Sequence, residues 1–286
     1  MSGRTLLTRR RLAAALLGTG SLALAACSRG PQPVATDPDL TRDPLASVDQ
    51  AQWDTRSGDD LLSLPLEGDL AEYSAWTDSG LDDSSVAGAR QQLVDFLTGA
   101  YLSPGELTGL SDADAQYAIS TSTPNFWKDD LAEGFTSGSR HFYAYVLADA
   151  FADVGAPRIC ANWYRGQTGA LPQLLFGGTI ARTVIDTGSR DVGVVALRFA
   201  MRMDLDGQGE STRGRFQVTV HGMDLCATGE AKGLVVPAIG PEEAYVAVQE
   251  VTMEQVIGSP RVPRKAMDST SSEAMLGDEE TVVLCP

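Results

Sequence analysis

Few residues of this 286-residue chain combine the types and spacing that chemistry needs. His141 and His221 are the only imidazoles, and either could serve as a general base, because an unperturbed imidazole titrates near neutral pH. Neither is accompanied by a Gly-x-Ser-x-Gly nucleophile turn, so a surface or hydrogen-bonded histidine is the competing reading. Asp186 sits in Val184-Ile185-Asp186-Thr187-Gly188-Ser189, a loop that could present one member of a carboxylate pair sharing a proton. Only one such loop occurs, so a second subunit would have to supply the other carboxylate, and the flanking residues read as an ordinary hairpin. Asp204, Asp206 and Glu210 cluster oxygen ligands of the kind calcium prefers. That stretch lacks a third regularly spaced acid and a distal glutamate, and a turn rich in Asp and Gly accounts for it more simply. Gly207-x-Gly209 opens no helix and is no dinucleotide loop. No cofactor and no bound metal are expected.

The cysteines carry more information. Met1 to Ala26 has a basic head (Arg4, Arg9, Arg10, Arg11), an apolar middle from Leu12 to Leu24 weakened by Gly18-Thr19-Gly20, and a small-residue exit. The apolar part is too short to cross a bilayer, so residues 1–26 read as a signal peptide. Leu24-Ala25-Ala26-Cys27 resembles the lipobox of bacterial lipoproteins. That resemblance implies that the Cys27 thiol is acylated and becomes the new N-terminus, placing the protein on the outer side of the cell membrane, extracellular or periplasmic. Thr8-Arg9-Arg10-Arg11-Leu12 also resembles a twin-arginine signal, used for chains exported already folded; an ordinary basic leader is the alternative. Export permits disulfides. Cys160, Cys226 and Cys285 allow one bridge with one thiol left over, and Cys285, next to last, is expected to pair with Cys226 or Cys160 and so pin the C-terminal tail. None of the cysteines has metal-ligand spacing.

Loss of the leader removes four arginines and no acid, taking the net charge from −16 to −20. Counterion release from phosphates requires clustered Lys and Arg, and no such cluster appears, so nucleic acid is excluded as an expected partner. An anionic lipid surface would repel the body, which leaves acyl chains on Cys27 to supply the attachment, each buried methylene contributing roughly 0.8 kcal/mol.

The elements that would have to position any site are short. Residues 27–83 read as a lipid-anchored tether, proline- and aspartate-rich at first, with Trp53, Leu61, Leu62, Leu64, Leu66, Tyr73 and Trp76 available as a partly ordered strap. Residues 84–256 read as the globular domain and 257–286 as a polar tail. One-sided helical patterns begin at Ser84, at a Ser111/Asp114 capping box and at Thr123-Pro124. Strand patterns cover Phe142 to Leu147, which could also be helical, Pro157 to Tyr164, Thr179 to Ile185, Val192 to Leu205, Phe216 to Val220 and Tyr245 to Val256. Helices followed by hairpins predict an α+β fold, with short helices packed on one face of a curved antiparallel sheet.

This order of elements resembles the cystatin-like roll of the NTF2-like superfamily, which implies an apolar pocket at the mouth of a cone. Trp127, Tyr143, Tyr145, Trp163 and Phe199 are its candidate lining, with ordinary core as the competing reading. The expected function is that of an exported, membrane-anchored envelope lipoprotein that binds a small apolar ligand or another envelope protein. The alternative is an exported hydrolase or isomerase using the cone, with Asp186, His141 or His221 as acid or base.

Overall fold

A computed structural model describes residues 43–49, 52–53 and 58–268. The leader, Cys27 and Cys285 lie outside the described residues. The fold is α+β. Five strands, β1 (Leu66–Glu67), β2 (Phe151–Thr168), β3 (Leu171–Asp186), β4 (Val192–Leu205) and β5 (Ser211–His221), form one sheet in sequence order. β1 joins β2 in parallel, and the remaining pairs are antiparallel hairpins. The β2–β3 register shifts between Val154 and Arg158. Gly155 has φ 75 there and Pro157 has no N–H to donate, so the bulge and the bend it produces follow from local composition.

Strand alternation divides the buried residues between two faces. On the inner face, Leu174, Phe176, Ile180 and Val184 of β3 lie beside Val195, Leu197, Phe199, Met201 and Met203 of β4 in the main core. Five helices, α1 (Gly58–Ser63), α2 (Ser74–Ser79), α3 (Ala87–Leu97), α4 (Asp112–Ser120) and α5 (Lys128–Thr136), supply its other half. Their limits are legible in the sequence. Gly80 ends α2 with φ 68, the left-handed conformation that closes many helices. Ser111 caps α4 by accepting from the Asp114 amide at 3.2 Å. Asn125–Trp127 forms a 3-10 turn just after Pro124 and leads into α5.

The outer face carries smaller residues: Gly177, Thr179, Ala181 and Thr183 of β3, and Val194, Ala196, Arg198 and Ala200 of β4. Residues 43–49, 52–53 and 252–268 cover it, on the side away from the helix layer. Leu45, Trp53, Val256 and Ile257 pack on Ala181, Val194 and Ala196, while Val262, Ala266 and Met267 of the segment ending in α8 (Arg264–Asp268) pack on Leu175 and Ala200. Small side chains let backbone come close. A Cβ on Gly177 would collide with the Met267 methyl.

Two expected strands are not strands. Phe142 to Leu147 begins at the end of a 3-10 turn (Arg140–Phe142), runs on irregularly and makes one isolated bridge, Leu147 to Val235. Its aromatic residues are fixed individually: the Tyr145 hydroxyl donates to Asp153 at 2.9 Å, and Tyr143 meets Phe216 edge-on at 5.3 Å. These tertiary contacts override β propensity. Tyr245 to Val256 belongs to α7 (Glu243–Val251) and the π-helical turn that follows it (Thr252–Ile257). Val248, Thr252 and Val256 are its buried positions, and a spacing of four satisfies the periods of both strand and helix.

Candidate functional site

Among the described residues, the expected aromatics of the inner face are packed against one another. Trp127, Tyr145, Trp163 and Phe199 are at most 1 % exposed. The Trp163 ring stacks on Phe176 at 3.9 Å, and Phe176 meets Phe199 at 5.2 Å. On its other side Trp163 carries the Arg90 guanidinium 4.8 Å away, and its indole N–H donates to Leu61 O at 2.8 Å. Tyr143 is half-buried against the same core. These contacts match the competing reading as ordinary core: Trp127, Phe96 and Tyr101 of the helix layer also turn inward and pack ring on ring.

The three acid–base candidates are separated from one another. His221 lies on the outer face, opposite Ala196, with Nε2 3.3 Å from the Thr219 hydroxyl. Burial first, and the nearby Arg198 charge second, push its pKa down to about 4. His141 belongs to the helix layer on the other side of the sheet. Neither of its ring nitrogens has a hydrogen-bond partner, and burial lowers its pKa, so it is held as neutral imidazole. Asp186 is five positions along β3 from Ala181, the residue level with Ala196 and His221, a span of about 17 Å. Its carboxylate accepts from the amides of Gly188 at 2.7 Å and Ser189 at 3.0 Å, closing its own hairpin turn.

The carboxylates of Asp204 and Asp206 are likewise engaged within the protein. Asp204 is buried, accepts from Gln173 Nε2 at 2.5 Å and is paired with Arg213. Asp206 Oδ1 accepts from the amides of Gln208 at 2.8 Å and Glu210 at 3.0 Å, so Asp204 ties β4 to its two neighbouring strands and Asp206 closes the β4–β5 turn. Among the described residues no group of His, Cys, Asp or Glu could hold a metal ion. Of the cysteines, Cys160 is buried on the outer face and Cys226 is half-buried in α6 (Leu225–Glu230) and disulfide-bonded. No helix among the described residues is long and apolar enough to cross a membrane.

A different place remains open. A cavity of about 300 Å³ lies between the residues leading into α4 (Thr108 to Asp112), Arg140, the stretch Val146 to Asp149, and Ala231 to Leu234 after α6. Its floor is ionic. The Arg140 guanidinium, 5 % exposed, donates Nη1 to Asp112 at 2.7 Å and lies 5.3 Å from the Phe135 ring. Lys232 lines the same cavity in a left-handed conformation, φ 55, followed by Gly233 at φ 81. Close approach requires that glycine, because a Cβ there would come within 3.0 Å of the Arg140 Cβ and within 2.7 Å of Gly138 O. Leu110, Val146, Leu147 and Leu234 provide the apolar wall.

Sequence reasoning did not single out Arg140, Lys232 or Asp149. Arg140 lies 28 positions from Asp112, and no local pattern connects them. The readable signals were the Ser111 cap, which fixes one wall, and the Lys232-Gly233 pair, which marks a tight reversal after a short helix. A search of family models, curated proteins and solved structures returned no match to this chain.

Proposed function

We propose that the protein is an exported lipoprotein of the bacterial envelope, held to the outer side of the membrane by acyl chains on Cys27, and that its folded body works as a binding module. The lipobox-like Leu24-Ala25-Ala26-Cys27 supports the address. The observation that carries the binding reading is the placement of the titratable groups. His141 and His221 lie on opposite sides of the sheet and Asp186 is tied to its own turn, whereas catalysis needs such groups to converge in one cleft. The surface cavity at Arg140 offers a ligand site of mixed polarity. With the aromatic interior filled, a ligand would dock at this surface rather than inside a cone.

Mass spectrometry of the protein purified from its own membrane tests the address: the mature chain should begin at Cys27 and carry added lipid mass. Replacing Cys27→Ala should release the protein to the medium. A native chain that begins elsewhere, or lacks lipid, rejects the proposal.

A further inference from the structure

The cavity at Arg140 brings a buried guanidinium beside two exposed charges, Lys232 and Asp149, that have no protein partner among the described residues. Arg140 Nη1 is committed to Asp112, and Nε is sealed with no partner. No protein acceptor among the described residues meets Nη2, which leaves it as the donor available at the cavity. Lys232 and Asp149 also line it, and neither has an ion pair or side-chain hydrogen bond among the described residues. Lys232 adopts a positive φ, against the ordinary backbone preference, next to Gly233, which packs on Arg140 with no room for a Cβ. Two cations and two carboxylates thus share one small space with an aliphatic wall.

That balance discriminates among ligands. A simple anion would meet Asp112 and Asp149, and a simple cation would meet Arg140 and Lys232, so each carries a repulsive contact. A molecule with both charges can pair each end and enter as a neutral whole. A cavity of about 300 Å³ is at the small end for ligand sites, and Leu110, Val146, Leu147 and Leu234 suit an aliphatic group. We propose that this cavity binds a small zwitterion, a free amino acid or dipeptide with an aliphatic side chain. Its carboxylate faces Lys232 and Arg140 Nη2, and its ammonium faces Asp149. This inference rests on the binding-module reading above and gives that module its ligand class.

The test is calorimetric titration of the purified mature protein with L-leucine and glycyl-leucine, beside N-acetyl-leucine, which lacks the ammonium, and leucinamide, which lacks the carboxylate. Leucine or the dipeptide should bind saturably, and removal of either charge should weaken binding at least about tenfold. Lys232→Gly removes the ammonium and relieves the positive φ, so it should weaken binding without lowering the thermal midpoint; Asp149→Asn should weaken binding by a similar factor. No saturable binding up to about 10 mM overturns the proposal, as does N-acetyl-leucine binding as well as leucine, or wild-type affinity in both variants. The acyl mass at Cys27, read on the same preparation, separates the two readings. Lipid present with silent titrations rejects the zwitterion site alone, and leucine binding without lipid rejects the membrane address alone.

Discussion

The two faces of one sheet are buried by different means. On the inner face large rings meet large rings: Trp163 lies between Phe176 and Arg90, and Trp127 packs among Phe96, Phe126 and Phe216. On the outer face small residues leave room for irregular backbone, and polar latches hold it. Asp43 accepts from the Thr183 hydroxyl at 2.8 Å and pairs with Arg158 at 3.3 Å. Thr179 donates to Pro260 O at 2.6 Å, and Arg198 Nη2 reaches the carbonyls of Gln255 at 2.9 Å and Ser259 at 2.8 Å. The Gln249 amide accepts from Val194 N at 2.8 Å and donates to Ala238 O at 3.1 Å, standing in for a strand partner past the end of β5. Apolar burial is non-directional and accommodates helices. Hydrogen bonds are directional, and they fix segments that have no regular structure of their own.

The contrast can be broken most severely at Trp163. Trp163→Ala should cost about 3–5 kcal/mol, read as a lowered urea midpoint, with loss of protection across the helix layer. Acidification should come next. The folded His221 pKa of about 4 lies below the unfolded value of 6.5, so the unfolded chain takes up the proton first. Stability is then full above about pH 6.5 and falls as pH drops toward 4, by about 3 kcal/mol for this residue. His141 acts in the same direction from the other face. A His221→Asn variant should have a flatter stability profile over that window; an unchanged slope would show that His221 is not buried as neutral imidazole.

Smaller effects sharpen the comparison. Arg198→Met removes the donor to two carbonyls and should cost about 2 kcal/mol. Hydrogen exchange should quicken in residues 252–268 and hold steady in α3 to α5. If both layers loosen together, the two faces are not independently secured. Gln249→Ala leaves the buried Val194 amide without its acceptor and should cost about 1–2 kcal/mol. Tyr117→Ser, at a side chain 74 % exposed on α4, should stay within about 0.5 kcal/mol of the parent.

The inner face was largely legible in the sequence. Val192 to Leu205 alternates from end to end and is β4 at those limits, because one of its sides meets a continuous apolar layer. Ser111 and Asp114 announce α4, since a cap acts through bonds between residues three apart. The outer face was much less legible. Its covers are latched by contacts such as Asp43 to Thr183 and Thr179 to Pro260, 140 and 81 positions apart, which leave no periodic trace. The candidate site was hidden for the same reason. Asp112, Arg140, Asp149 and Lys232 are ordinary surface residues in sequence and become a set only where four separate segments meet.

Alternation, caps and glycine turns determined the α+β class and the central hairpins, because those signals act between near neighbours or through a repeat that one strand carries alone. Tertiary structure decided which aromatics became core, which way Tyr245 to Val256 folded and where charge was left unpaired. Burial against a distant partner is a property of pairs of segments, and a pair is written in neither segment by itself.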